Sequence, residues 1–74
     1  MNRLQPARTP VQSSLLSSIR YSIDATLELE FRNGAIYRYF AVPRTVFEGL
    51  IAAESKGTYF NRSVRSRFPY QRLA

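Results

Sequence analysis

The side chains best suited to a chemical role lie near the C-terminus, where residues 56–74 carry five cations and no acidic residue. Cationic groups neutralise phosphates and aromatic rings stack on unpaired bases, so a mixture of the two is typical of a nucleic-acid-binding surface. For each aromatic residue taken alone, packing in the core of a small domain is the competing interpretation. The cations are Lys56, Arg62, Arg65, Arg67 and Arg72, and the aromatic residues among them are Tyr59, Phe60, Phe68 and Tyr70.

The net charge of +6 is unevenly distributed along the chain. Residues 1–20 are basic and contain no acid, whereas residues 21–55 hold all five acids and are slightly negative. Ten of the eleven cations are arginines, which bind phosphate bidentately and stack on bases. Such asymmetry indicates a polyanionic partner, nucleic acid before a membrane. The predicted nucleic-acid-binding residues are Arg38, Lys56, Tyr59, Asn61, Arg62, Arg65, Arg67, Tyr70 and Arg72.

Catalysis is not expected from this composition. The chain has no His and no Cys, which excludes the commonest general base, a thiol nucleophile and most zinc sites. Glu28 and Glu30 form a carboxylate pair on one strand face, but ion pairing with Arg38 and Arg32 on a solvated face explains them better. The serines have no visible base to activate them, and three glycines make no phosphate-binding loop. We therefore expect no catalytic residue, cofactor, metal or small-molecule substrate.

Residues 27–40, with the sequence LELEFRNGAIYRYF, are the element that must position these side chains. Two runs alternate apolar and polar residues with a period of two, which predicts two half-buried strands. The Asn33-Gly34 pair between them is a strong hairpin signal.

Two registers of this hairpin are possible. A two-residue turn places Arg38 on the face of the apolar residues of the first strand. A three-residue loop with Gly34 in a left-handed bulge places Tyr37 and Tyr39 on that face, under a helix, and pairs Glu28 with Arg38 on the other. We favour the three-residue loop. Ile36 and Phe40 then lie on the outer face, where a tail or partner would cover them.

The segment before the hairpin is ambiguous. Apolar residues every four positions from Val11 to Ile23 suit a helix, but a period-two set also runs through residues 15–23. We prefer a strand near residues 16–23, because an isolated hairpin needs a third strand for stability. Ser22 to Ala25 would then form the turn into the hairpin.

One amphipathic helix is predicted after the hairpin. It starts with Pro43 at its first position or with a capping box from Thr45 to Glu48. Gly57 is its expected C-cap, with Lys56 near the negative end of the helix dipole. Residues 58–60 are predicted to form a short extended segment, and Asn61 is predicted to cap a further helical turn. The apolar stripe that faces the sheet comprises Val46, Phe47, Leu50, Ile51 and Ala53.

The length of 74 residues implies one domain of marginal stability, for which dimerisation is a common remedy. No apolar run approaches the length of a transmembrane helix, and the N-terminus lacks the apolar region of a signal peptide. We therefore expect a cytoplasmic location.

A series of short motifs follows one another from about Val11 to Pro69. They are Val11-x-Ser13-Ser14, Ile19-Arg20-Tyr21, Phe31-x-Asn33-Gly34, Tyr37-x-Tyr39, Val42-Pro43, Ser55-Lys56-Gly57, Tyr59-Phe60-Asn61, Val64-Arg65 and Tyr70. Their order resembles the KTSC domain, a small bacterial module that occurs at the C-terminus of some lysyl-tRNA synthetases and as a stand-alone protein. The resemblance implies the fold of that family and a nucleic-acid-binding role, usually with RNA, although no activity is established for the family.

Together these patterns predict an α+β domain over residues 11–74, preceded by a flexible arm over residues 1–10. Its expected architecture is a three-stranded antiparallel meander covered by one amphipathic helix, with a basic aromatic C-terminal tail. The expected function is non-catalytic binding of DNA or RNA through the phosphate backbone, with weak sequence preference and as a homodimer. A protein-interaction or dimerisation module without nucleic-acid binding is the alternative.

Overall fold

The predicted meander forms the centre of a larger antiparallel sheet in a computed structural model, which describes residues 8–74. The sheet has five strands in the order β1-β2-β3-β4-β5, and two helices lie between β4 and β5 in the chain. The α+β class is confirmed, but the predicted numbers of strands and helices, three and one, were too low. The elements are β1 (Thr9–Pro10), β2 (Leu16–Tyr21), β3 (Leu27–Phe31), β4 (Ile36–Tyr39), α1 (Arg44–Ala52), α2 (Lys56–Ser63) and β5 (Tyr70–Arg72).

The hairpin between β3 and β4 adopts the favoured register. Glu28 lies opposite Arg38, and the neighbouring pairs place tyrosines opposite leucines. The amide of Phe31 donates to the carbonyl of Ala35 over 2.8 Å, which closes a three-residue loop. Gly34 has a φ of 93°, a left-handed conformation that side-chain-bearing residues rarely adopt. The loop chemistry therefore sets which side chains face each side of the sheet.

The ambiguous segment before the hairpin is a strand, so the helical alternative was wrong. β2 pairs with β3 along its length, with an irregularity between Leu16 and Ser18. The turn from Ser22 to Ala25 forms as predicted, with the Ala25 amide donating to the Ser22 carbonyl over 3.0 Å.

The helical region differs most from the prediction. Pro43 is the N-cap of α1 rather than its first residue, and no side-chain capping bond forms there. The helix ends at Ala52, well before the expected cap at Gly57. A second helix then starts after Ser55, whose hydroxyl accepts a bond from the Thr58 amide over 3.2 Å. Residues 58–60 are therefore helical instead of extended, and Asn61 lies inside α2 rather than capping a new turn.

Both edges of the meander gain a strand from a segment predicted to lie outside the sheet. The C-terminal tail becomes β5, with Tyr70 opposite Tyr39 and Arg72 opposite Tyr37. At the other edge Thr9 and Pro10 pair with β2, so this part of the expected arm belongs to the sheet. The rest of that arm, residues 1–7, lies outside the described residues. Unpaired backbone groups along a sheet edge favour such additions.

The inner face of the sheet carries the core, and both helices contact it; of the two β4 tyrosines expected under the predicted helix, Tyr39 contacts a helix, and that helix is α2. Phe60 of α2 packs edge-on against Phe31 and Tyr39, and Phe47 of α1 stacks on Tyr21 with ring centroids 4.7 Å apart. The buried core residues are Leu16, Ile19, Leu27, Leu29, Tyr39, Val42, Leu50, Phe60 and Val64. Neither helix within residues 8–74 is long and apolar enough to cross a membrane.

The outer face is organised around the Glu28 carboxylate, whose side chain is only 3% exposed. Arg8, Arg20 and Arg38 all donate to it, with nitrogen–oxygen distances of 2.6 Å for Arg20 and 3.0 Å for Arg38. Within residues 8–74, Glu30 accepts a bond from the Ser18 hydroxyl and forms no ion pair with an arginine, so the expected pairing with Arg32 does not form. Three of the chain's cations thus share the single negative charge of one buried carboxylate.

Replacing Glu28 by Gln should destabilise the domain strongly, because three arginines would then surround an uncharged side chain. Removing one partner of a buried ion pair costs roughly 3–5 kcal/mol, and we expect about 3 because the arginines remain partly solvated. Glu48→Gln is the matched control, since its bond to Arg44 joins two side chains that are 59% and 72% exposed. Chemical denaturation of both variants measures the difference. Equal midpoints would contradict a central role for Glu28.

A pair of glycine substitutions tests the packing of α1 against α2. A Cβ atom at Gly49 would overlap the Tyr59 ring, lying 2.7 Å from Cζ and closer still to the hydroxyl, so Gly49→Ala should cost about 1–3 kcal/mol. At Gly57 the nearest atom is 3.5 Å away, and Gly57→Ala should be neutral or stabilise by up to about 1 kcal/mol. Thermal melts that rank the two variants in the opposite order would show that the helices pack differently.

Candidate nucleic-acid interface

A cleft opens on the side of the domain where β4 and β5 face α2 and the chain that follows it. Its volume is about 560 Å³. The hairpin loop closes one end through Asn33 and Ala35. No Asp or Glu lines this cleft. Its aromatic wall comprises Phe31, Tyr37, Tyr39, Phe60 and Tyr70, and its polar lining comprises Asn33, Asn61, Arg65, Ser66 and Arg72.

The tyrosines of the wall are graded in exposure. Cross-strand pairing puts Tyr70 beside both tyrosines of β4, with its ring centroid 5.6 Å from that of Tyr37 and 5.7 Å from that of Tyr39. Tyr39 is only 4% exposed, whereas Tyr70 is 60% exposed. The wall therefore runs from the core outward to a ring in contact with solvent.

Burial raises the pKa of Tyr39 to about 12, and the neighbouring hydroxyls of Tyr37 and Tyr70 push it in the same direction. The positive charge of Arg65 opposes that shift but does not cancel it. The Tyr39 hydroxyl is therefore neutral at physiological pH. It adds a polar group, but no negative charge, to the floor of the cleft.

Two arginines lie at the cleft, and neither forms an ion pair with Asp or Glu within residues 8–74. Arg65 Nη1 donates to Asn61 Oδ1 over 3.3 Å, from one turn further along the chain. Arg72 lies with its guanidinium 5.7 Å from the centre of the Tyr37 ring. Ser66 takes a φ of 62°, a left-handed conformation that turns the chain after Arg65. The cleft thus combines exposed aromatic surface with positive charge.

Four of the predicted site residues meet in this cleft: Asn61, Arg65, Tyr70 and Arg72. Arg62 and Arg67 are exposed beside a second, shallower depression of about 520 Å³ that Phe68 also lines. Within the described part of the chain, neither of these arginines forms an ion pair with a carboxylate side chain. The C-terminal cations therefore remain on the surface.

The other three predicted site residues lie away from the cleft and contact other parts of the domain, so the structure adds no support for their assignment to the interface. Arg38 is bound to Glu28 on the opposite face of the sheet. Tyr59 lies between the helices, and its hydroxyl donates to the Val46 carbonyl over 3.1 Å. Lys56 Nζ caps the C-terminal end of α1, donating to the carbonyls of residues 51 and 53 over 3.0 Å each.

Sequence reasoning missed part of the cleft because it treated residues 67–72 as a tail. Tyr70 and Arg72 are two positions apart, which is the spacing of one strand face, and this signal was available. Pairing such a strand with β4 would have placed both residues beside Tyr37 and Tyr39. The residues missed as site residues are Phe31, Asn33, Tyr37, Tyr39, Phe60 and Ser66.

Comparison with known families decides the classification. The family model described as the KTSC domain matches residues 12–68, which is most of the chain. The chain belongs to the KTSC domain family. The resemblance inferred from the sequence motifs is thereby confirmed. This KTSC domain also superimposes on a crystal structure of a KTSC domain protein from Yersinia pestis, with a TM-score of 0.86 and 33% sequence identity, covering 92% of this chain and 97% of that one.

Relatives of this KTSC domain fall into two groups by length. A lysine–tRNA ligase of Nostoc sp. strain PCC 7120 is 44% identical over 64 residues, which is 85% of this chain but 11% of the ligase. A protein of Tsukamurella paurometabola is 43% identical over 60 residues, covering 80% of this chain and 90% of that protein. The chain thus spans about a tenth of the ligases it matches and most of a short relative.

The raised pKa of Tyr39 predicts a specific alkaline behaviour. A pKa higher in the folded than in the unfolded chain stabilises the fold below pH 10, and this contribution is lost as the pH rises from 10 towards about 12. Tyr39→Phe removes the ionising group. We expect the free energy of unfolding to fall less steeply for Tyr39→Phe than for the parent protein in that window. Parallel declines in urea denaturation series would contradict the burial of this hydroxyl.

Proposed function

We propose that this KTSC domain is a non-catalytic module that binds nucleic acid, mainly through the phosphate backbone. The observation that carries the proposal is that some arginines form ion pairs within the domain and others do not. Within the described residues, Arg8, Arg20, Arg38 and Arg44 form ion pairs with Glu side chains. Arg62, Arg65, Arg67 and Arg72 form none within residues 8–74; Arg65 and Arg72 line the cleft, and Arg62 and Arg67 line the second depression.

Exposed arginines that form no ion pair with Asp or Glu within residues 8–74 are suited to binding an anionic polymer. Each phosphate that an arginine neutralises releases condensed counterions, which favours binding at low salt. Contacts to phosphate fix the position of a protein on nucleic acid but carry no sequence information. We therefore expect affinity that depends strongly on salt and weakly on sequence.

The non-catalytic part of the proposal rests on the chemistry of the cleft. The chain has no His and no Cys, and no carboxylate lines the cleft. Arginine and asparagine side chains, and Tyr39 with its neutral hydroxyl, suit binding better than proton transfer at neutral pH.

RNA is favoured over DNA as the partner by the relatives. A lysine–tRNA ligase acts with tRNA, and a region of that enzyme is 44% identical to most of this chain. A module attached to such an enzyme would serve it by holding the RNA. We propose structured RNA as the first ligand to test, with duplex DNA as the comparison.

Homodimerisation stays a prediction. β5 is an edge strand of the sheet and all three of its residues are exposed, so two copies paired along β5 would extend the sheet and double the basic surface. A cytoplasmic location likewise stays a prediction.

Neutralising the unpaired arginines should weaken binding without unfolding the domain. We expect Arg62→Gln combined with Arg67→Gln to reduce the steepness of log affinity against log salt by about one per arginine that contacts phosphate. Arg44→Gln is the control, because it removes one charge from an exposed ion pair that lies outside the C-terminal basic segment. Fluorescence anisotropy with a labelled RNA hairpin at several salt concentrations provides the slopes.

Two results would contradict the proposed function. One is the absence of binding to RNA or DNA by the parent protein at low salt. The other is the same reduction in slope per charge removed for Arg44→Gln and for the double variant, which would show that only the net charge matters. In the first case a protein-interaction module becomes the better hypothesis.

A further inference from the structure

We infer that the cleft between β4, β5 and α2 takes one unpaired base of a single-stranded nucleic acid, while the surrounding arginines hold the adjacent phosphates. This inference rests on the proposed function and deepens it, because it names the kind of strand that is bound. Four properties of the cleft support it: an available aromatic face, free amide donors, positive charge without carboxylates, and suitable size.

Tyr70 provides the aromatic face. Its ring is tilted by 41° to that of Tyr37 and by 37° to that of Tyr39, so it is not stacked flat on either. At 60% exposure a large part of the ring is in contact with solvent. A planar base can stack on such a surface in place of water, as bases do on aromatic residues in proteins that bind single strands.

Two carboxamides at the cleft have their oxygen atoms already engaged. Asn61 Oδ1 accepts from Arg65, and Asn33 Oδ1 accepts from the amide of Ala35 over 3.0 Å. Each therefore keeps its NH₂ group as a donor. Every base carries carbonyl or ring-nitrogen acceptors on its edges. Donors of this kind would orient a base while discriminating only weakly among the four.

The charges suit the backbone on either side of that base. Arg65 follows α2 and Arg72 lies on β5, and both line the cleft. With no Asp or Glu in the lining, nothing there repels a phosphate. Arg72 lies near the Tyr37 ring and donates from Nε to the Ala74 oxygen over 2.9 Å, so its two Nη groups are the donors that would bind phosphate oxygens.

The size and shape of the cleft favour a single strand over a duplex. Its volume of about 560 Å³ lies within the range of about 300–1,000 Å³ typical of small-molecule sites, enough for one nucleotide. A base within a duplex is stacked and paired, and would have to be extruded at a cost of a few kcal/mol to reach Tyr70. An unpaired base in a loop or tail needs no such extrusion.

Three labelled probes of equal length separate base binding from charge alone: a single-stranded RNA, the same RNA in a duplex, and a strand in which every base is missing. Titrated with the 74-residue protein, the single strand should bind at least about tenfold more tightly than the abasic strand, which keeps every phosphate, as expected for stacking of at least one base. Tyr70→Leu should weaken binding of the single strand by about 5- to 150-fold, the range expected for loss of one stacked base. Tyr70→Phe, which keeps the aromatic ring, should bind the single strand as tightly as the parent protein does.

The outcomes distinguish this inference from the function on which it rests. If the abasic strand and the duplex bind as tightly as the single strand, the base pocket is refuted and charge-driven binding survives. Failure of all three probes to bind would refute the proposed function itself. The abasic comparison uses the parent protein, so it remains decisive even if Tyr70→Leu fails to fold. Asn61→Ala should lower affinity for the single strand more than affinity for the abasic strand, because Arg65, which Asn61 also contacts, serves both strands while the Asn61 NH₂ group serves only a base; an equal loss for both would also contradict the pocket.

Discussion

The register of the hairpin between β3 and β4 is the constraint on which the rest of the structure depends. Because side chains alternate along a strand, a slip of one residue would carry Tyr37 and Tyr39 to the outer face and Arg38 into the core. The three-residue loop, with its left-handed Gly34, prevents that slip. β5 then pairs with β4, which aligns Tyr70 and Arg72 with the two tyrosines and turns one side of the core into the wall of a cleft.

The two faces of the sheet use arginine in opposite ways. On the outer face three arginines converge on Glu28, where a buried carboxylate holds them together. At the cleft, Arg65 and Arg72 contact amide, carbonyl and aromatic groups, which leave their charges uncompensated by any Asp or Glu within residues 8–74. Net charge alone does not reveal this division. The division depends on which cations the fold places beside carboxylates. The cleft, where the arginines have no carboxylate beside them, is the side suited to phosphate.

The parts of the fold with strong local signals were predictable from the sequence. The Asn-Gly loop and the alternation around it gave the hairpin and its register, and the serine-rich segment before it formed the expected strand. The second helix was not predictable in this way, because Thr58, Tyr59 and Phe60 favour strands locally. Their helical state depends on Ser55 as an N-cap, on burial of Phe60, and on the hydrogen bond from the Tyr59 hydroxyl to the Val46 carbonyl of α1. The Glu28 partner of Arg38 was predicted, but the contacts of Lys56 and Tyr59 were not, because they depend on where α1 ends and on how α2 packs against it.

The central claim is that the cleft beside β5 and α2, and not the outer face of the sheet, contacts the nucleic acid. Backbone amide NMR shifts of the isotope-labelled protein, titrated with a short single-stranded RNA, test it most directly. The account predicts that the largest shifts cluster at Asn61, Arg65, Tyr70 and Arg72, with little change around Glu28. Shifts centred on Arg20, Glu28 and Arg38 would contradict it, as would the absence of any shift at saturating RNA.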